Sequence, residues 1–134
     1  APVSAYISRG VPITMFGPVI DSSTLVRIEI APPKITEDTY EAEVITSDGF
    51  GNIFLNIPTE MFEEPIGAEV VVETKETKKE AKVGYTFGDV PLGKLVVIRR
   101  TSHGYLELAA NMASARDILN VKPGDLVIIR RKKL

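Results

Sequence analysis

Apolar residues in this chain recur mainly at every second position, in short runs cut off by Gly, Pro and Asp. That period puts alternate side chains on opposite faces of a strand. The runs Leu25 to Ile30, Tyr40 to Thr46, Ile53 to Ile57, Ala68 to Thr74, Leu95 to Arg100, Tyr105 to Ala109 and Leu126 to Arg131 therefore read as strands. About seven strands at such spacing predict a small barrel or sandwich. One internal stretch departs from the pattern: Ser114 to Leu119 follows a polar cap candidate, Asn111 or Ser114, and reads as a short helix. It stops before Lys122-Pro123-Gly124-Asp125, a turn that launches the last strand.

The first residues behave differently. Ala1 to Gly10 carries apolar Val3 and Ile7 at helical spacing and ends on a glycine, so it reads as a helix already under way. Pro12, Gly17 and Pro18, then polar Asp21-Ser22-Ser23-Thr24, make the following stretch a surface connector. We expect residues 1–24 to be a helix and interdomain linker and residues 25–134 a β-domain. The absence of an initiator methionine leads us to expect a chain cut from something longer. The charged run Lys75 to Lys82 is expected at a hairpin tip, and Arg130-Arg131-Lys132-Lys133 as a frayed, solvated tail.

Length and composition narrow the function. A chain of 134 residues with 44% hydrophobic content can bury one core. A net charge of -2 gives no global pull toward nucleic acid or an anionic membrane. With no cysteine and one histidine, disulfides, thiolate nucleophiles, Fe–S clusters and Cys/His zinc sites are excluded, and a cytoplasmic setting is expected. No apolar run approaches the roughly 20 residues of a membrane span.

Three segments hold more turn, aromatic and amide residues than a barrel requires. In Ser47-Asp48-Gly49-Phe50-Gly51-Asn52-Ile53-Phe54 the glycines let the backbone turn sharply and bring Asp48, Asn52 and two phenylalanines together. An amide offers a donor and acceptor to a base edge, aromatic faces stack on it, and a carboxylate pairs with an ammonium or ribose hydroxyls. Asp-Gly and Gly-Asn are also ordinary hairpin turns, so residue chemistry alone leaves both readings open. In Gly84-Tyr85-Thr86-Phe87-Gly88-Asp89, Phe87 precedes a turn and would equally serve core packing. The third segment, Thr101 to Ala115, sets the single histidine in a turn and Glu107 between two leucines, where alternation would also turn it to water. No nucleophile elbow, Walker loop or paired metal ligands are present.

At these segments the sequence resembles the S-adenosyl-L-methionine hydroxide adenosyltransferases and their relatives, the adenosyl fluorinases and chlorinases. Ser-Asp-Gly-Phe-Gly-Asn-Ile-Phe-Leu-Asn-Ile-Pro is similar to the family's Asp-x-Phe-Gly-Asn-x-x-Thr-Asn-Ile signature. Tyr-Thr-Phe-Gly-Asp-Val is similar to its aromatic turn, and Ser-His-Gly-Tyr-Leu-Glu-Leu-Ala-Ala-Asn-Met-Ala-Ser-Ala to its Ser-x-Gly-x-Leu-Glu-Ile-Ala-x-Asn-x-Gly-Ser-Ala stretch. Leu55 stands where a threonine is usual and Ala113 where a glycine is usual.

The resemblance implies a mainly β fold, a small antiparallel, Greek-key-like barrel with one short helix, preceded by the helix and linker that follow a missing α/β N-terminal domain. It implies a homotrimer whose substrate lies between the N-terminal domain of one subunit and the C-terminal domain of the next, with no cofactor and no metal. The implied reaction is hydrolysis of S-adenosyl-L-methionine to adenosine and L-methionine by water or hydroxide at the ribose 5'-carbon. Asp48 and Ser102 would hold the methionine amino and carboxylate groups, with His103 beside them where halogenating relatives carry an arginine. Asn52 would read the adenine edge, helped by main-chain groups near Ala110 and Met112, and Phe50, Phe54 and Phe87 would wall the pocket. Glu107 would help to hold the ammonium. The water-activating Asp, Arg and His set would precede residue 1, so no catalytic residue is expected in this chain. Two other readings are a non-catalytic barrel binding nucleotide or RNA through its basic tail, and a structural or oligomerisation domain.

Overall fold

The computed structural model describes residues 1–99 and 101–132. Helix α1 (Pro2–Ser8) starts on a proline, whose missing N–H costs nothing in a first turn, and the chain leaves it through Gly10 at φ 79°. Gly10 is the predicted stop. The helix buries none of its residues. Residues 11–33 then run along the surface with two short 3-10 turns, Ile13–Phe16 and Ser22–Thr24, the second capped by Asp21, whose side chain accepts from the Ser23 N–H at 2.9 Å.

The expected strand at residues 25–30 does not form. Val26 and Ile28 are 94% and 89% exposed, and among the described residues this stretch pairs with no strand. Their alternation is that of a strand, but the barrel closes without them. The chain first joins the sheet at β1 (Lys34–Ile35), which pairs with β2 (Thr39–Ser47) through Lys34 opposite Glu41 and Ile35 opposite Tyr40. Just before it, the buried Asn56 side chain donates to the Ala31 carbonyl at 2.8 Å and accepts the Glu43 N–H at 2.7 Å.

The barrel consists of β2, β3 (Ile53–Pro58), β4 (Glu69–Glu73), β5 (Lys78–Gly84), β6 (Leu95–Ile98), β7 (Tyr105–Ala110) and β8 (Leu126–Arg131). They follow one another around it as β2-β3-β7-β6-β5-β4-β8, and β8 returns to β2. Closure gives each of the seven a neighbour on both sides. Tyr40, Ala42 and Val44, Val70 and Val72, Leu106 and Leu108, and Val127 and Ile129 alternate inward and fill the interior with Ile53, Leu55, Ile57 and Phe62. All of β6 is buried because its outer face also packs, Val96 and Ile98 meeting Ala109 and Val90. Helix α2 (Ala115–Leu119) closes one end with Ala115 and Leu119; Ser114 caps it by accepting the Asp117 N–H at 3.1 Å, and left-handed Asn120 ends it.

Three further expectations change. The run Lys75 to Lys82 is not a hairpin tip alone: the tip lies at residues 74–77, and Lys78–Gly84 is strand β5. Its outward positions are charged, so only Ala81 and Val83 betray the buried face. The sheet is not antiparallel throughout, because β5 and β6 pair in parallel, Ala81 beside Leu95 and Val83 beside Val97. The basic tail is not frayed as far as Lys132. Arg130 pairs with Glu73, Arg131 with Glu64 and the Tyr40 hydroxyl, and Lys132 with Glu69 and Glu80 at 2.8 and 2.9 Å. The end of the expected strand at Arg100, and Lys133 of the tail, fall outside the described residues.

Candidate functional site

The loop from β2 to β3 is organised by one carboxylate. Asp48 Oδ1 accepts the N–H groups of Phe50 and Asn52, both at 2.9 Å, and Oδ2 accepts the Asn52 side-chain amide at 2.8 Å. Partial burial pushes the Asp48 carboxyl up, but the N–H groups of Asn52, Phe50 and Gly51 together outweigh it and hold it below the usual aspartate range. Gly51 adopts φ 85° and lies so close to the N-cap of α2 that an added Cβ would overlap Ser114 Oγ. Its carbonyl accepts the Arg116 N–H at 2.9 Å. The loop is thereby fixed to α2. Asn52 is held in the wall, its carbonyl oxygen accepting from no group among the described residues, while Phe50 projects outward, 83% exposed.

Asp48, Phe50 and Asn52 form one side of a cavity of about 760 Å³. Phe87 comes to it from the 3-10 turn Phe87–Asp89, which a reciprocal capping box secures: Thr86 caps the turn, and Asp89 Oδ2 accepts the Tyr85 and Thr86 N–H groups at 2.7 and 3.0 Å. The far side is the end of β7, where Ala110 bridges to Ala113 and the chain reverses through Met112 at φ 52°. The Asn111 side chain donates to the Val90 carbonyl at 2.7 Å and ties this reversal to the Phe87 loop. Asn111 and Ala113 are cavity residues that sequence reasoning does not assign to binding. The sequence offers Asn111 only as a helix cap; its tie to Val90, 21 residues away, has no local signature.

Phe54, His103 and Glu107 form a second cluster on the outer face. Phe54 and Glu107 are cross-strand partners on β3 and β7, both turned out while Leu55, Leu106 and Leu108 turn in. Alternation thus directs Glu107 away from the core, as expected. Yet its side chain is only 14% exposed, since Phe54 and His103 flank it. The His103 ring meets Phe54 edge-on at 4.7 Å, and Nε2 lies 3.8 Å from Glu107 Oε2. Burial first, and the negative charge of Asp48 second, raise the Glu107 carboxyl above the usual glutamate range, with His103 opposing both. The charge of Asp48 thus reaches Glu107 from the cavity wall. Ser102 is exposed in the turn beside His103.

Of the ten residues singled out in the sequence, Asp48, Phe50, Asn52, Phe87, Ala110 and Met112 therefore line one cavity; Phe54, His103 and Glu107 do not line it but form a cluster of their own whose Glu107 feels the charge of Asp48, and Ser102 lies in the turn beside His103. Apolar walls around an amide whose carbonyl accepts from no described residue suit a flat heteroaromatic ring, and two neighbouring carboxylates suit a cation. Among the described residues no three His, Asp or Glu side chains are grouped to share a metal ion, and no helix is long and apolar enough to cross a membrane.

The model of the SAM hydroxide adenosyltransferase C-terminal domain matches residues 42–128. A relative from Salinispora tropica named (R)-S-adenosyl-L-methionine hydrolase is 38% identical over 93% of the chain, and one of the same name from Thermus thermophilus is 36% identical over 92%. The chain spans only 46% and 44% of those relatives. Among solved structures, an uncharacterized conserved protein from Thermotoga maritima superposes with a TM-score of 0.75 at 32% identity, covering 97% of this chain and 49% of its own. A conserved hypothetical protein from Thermus thermophilus gives 0.59 at 35%, covering 96% and 49%.

Proposed function

We propose, since the chain belongs to the SAM hydroxide adenosyltransferase C-terminal domain family, that it is the substrate-holding half of an enzyme hydrolysing S-adenosyl-L-methionine to adenosine and L-methionine. The observation that carries this reading is the 48–52 loop, which brings an ionised carboxylate and an amide whose carbonyl accepts from no described residue to one cavity wall beside exposed aromatics. Asn52 reads the adenine edge, Phe50, Phe54 and Phe87 supply apolar walls, and main-chain groups at Ala110 and Met112 complete the base site. Asp48 and Glu107 face the methionine ammonium, and Ser102 and His103 lie at the carboxylate end.

Hydroxide, or water that gives up a proton to solvent as it attacks, bonds to the ribose 5'-carbon, the carbon–sulfur bond breaks, and the sulfur leaves with the bonding pair as a neutral thioether. A sulfonium is a good leaving group, so the reaction asks mainly for alignment, exclusion of bulk water and a deprotonated nucleophile. This domain contributes alignment. Its aromatic walls also stabilise the sulfonium charge by cation–π attraction, on the order of 0.5–2 kcal/mol. Activation of water belongs to residues of an α/β N-terminal domain, and a homotrimer brings that domain of one subunit over the cavity of the next. Exposed Phe50 and Met112 at the cavity rim, and the unpacked apolar residues 13–30, support such a cover. Binding of RNA through the tail has less support, since Arg130, Arg131 and Lys132 are paired with glutamates.

The test uses the complete protein in chelator-treated buffer without added halide, followed by product analysis. Adenosine and methionine are expected in equal amounts. A 5'-halo-adenosine as main product when chloride or fluoride is supplied, or no adenosine at all, would refute the assignment.

A further inference from the structure

The 101–105 turn fixes the protonation geometry of its histidine. The Tyr105 N–H donates to His103 Nδ1 at 3.3 Å. The Thr101 hydroxyl, although 3.5 Å from Nδ1, sends its proton to the Tyr105 carbonyl at 2.6 Å. Nδ1 is therefore an acceptor, and the neutral imidazole carries its proton on Nε2. Two more contacts hold the ring: the edge-on approach to Phe54 at 4.7 Å, and the Thr59 N–H to the Gly104 carbonyl at 2.9 Å, which pins the turn to the end of β3. Nε2 then points at Glu107 Oε2, 3.8 Å away. Among the described residues no Lys or Arg pairs with Glu107, so His103 is the donor that faces it.

We propose that His103 is a positioning residue: locked as its Nε2–H tautomer, it turns the Glu107 carboxylate toward the cavity as the receiver of the ligand's ammonium group. The division of labour between the two acids follows from their lone pairs. Asp48 commits Oδ1 to two backbone N–H groups and half of Oδ2 to Asn52, so its first task is to shape the loop and orient the amide. Among the described residues the Glu107 carboxylate accepts from no backbone N–H, and it keeps its lone pairs for a ligand. The inference rests on the proposed methionine end of the site and assigns its charge recognition to Glu107 through His103.

The chain has one histidine, so the imidazole ¹⁵N resonances of the labelled 134-residue chain are unambiguous. At mildly alkaline pH we expect a pyridine-type Nδ1 and a pyrrole-type Nε2. In the complete protein, His103→Ala should weaken L-methionine binding roughly tenfold, because the polar group that faces Glu107 and holds its orientation is lost. His103→Gln, whose amide N–H reaches the Nε2 position, should restore most of it, and adenosine binding should be unchanged in both. An Nδ1–H tautomer, or a Gln variant as weak as Ala, overturns the inference and leaves the functional reading intact. Failure of the unsubstituted protein to bind adenosine overturns the functional reading and this inference with it.

Discussion

Gly51→Ala probes the hinge on which the site depends. At φ 85° an alanine is in the left-handed region, which costs roughly 1–2 kcal/mol. Its Cβ would also overlap Ser114 Oγ and lie 2.7 Å from Ser114 Cβ and 3.1 Å from Cα, so Ser114 must move. Moving it breaks the N-cap bond to Asp117, worth about 1 kcal/mol. Together these predict a loss of about 2–3 kcal/mol, and a fall in melting temperature of roughly 6–12 °C for a domain of this size. Urea and thermal unfolding measure it. Ser114→Gly removes the overlapping atoms, and glycine is itself a tolerable cap, so in that background Gly51→Ala should cost only the backbone part. The two substitutions should thus couple by about 1 kcal/mol. A Gly51→Ala protein within about 0.5 kcal/mol of the parent, or strictly additive effects, would show that the loop is not held against α2 as described.

Asn52→Ala should weaken adenosine binding by about 1–3 kcal/mol in the complete enzyme, because a buried base edge loses its partners; calorimetry showing an unchanged adenosine affinity would remove Asn52 from base recognition. The Glu107 carboxyl is raised above the ordinary glutamate value, so on acidification it takes up its proton at a higher pH than an exposed glutamate would. Asp48, held low, stays ionised through that window, and His103 is the other titratable group facing Glu107. Methionine affinity should therefore fall with pH through the raised value while adenosine affinity stays level, and Glu107→Gln should flatten the methionine profile. An identical profile in that variant would refute the role of Glu107.

Much of the barrel was legible because most strands expose one polar face and bury one apolar face. Tyr40, Ala42 and Val44, or Val127 and Ile129, are visible as every second residue. Two segments misled for opposite reasons. Residues 25–30 have the alternation but pair with no strand among the described residues, because the seven-stranded barrel closes between β2 and β8 without them, and closure is a property of the whole fold. Strand β5 has the edges but hides its alternation, since its outward Lys78, Glu80 and Lys82 stand opposite Glu73, Val71 and Glu69 and read as a solvated run. At the site, Asp-Gly-Phe-Gly-Asn was readable as a turn with chemistry on it, because the glycines and side chains that make the loop are adjacent in sequence. The shielding of Glu107 was not, for Phe54 reaches it across the sheet and His103 from a turn. Asn111 was missed for the same cause, its partner Val90 lying in another loop.

The parallel β5–β6 pair has an evolutionary side. Antiparallel neighbours can be joined by a hairpin of two residues, but parallel ones oblige the chain to travel back to the starting end of the sheet before it can descend again. Here that return journey is residues 85–94, and it bears Phe87 to the cavity. Its ends are anchored independently, by the Asp89 capping box at one side and by Gly93 N–H to the Asn111 carbonyl at the other. Replacements of Phe87, which is part-exposed within the capped turn, leave the strand register untouched while changing the wall against which a ligand lies. Selection can thus retune what the domain accepts at a single position of a connection in which Thr86, Asp89 and Val90 are held by the capped turn and by the outer face of the sheet.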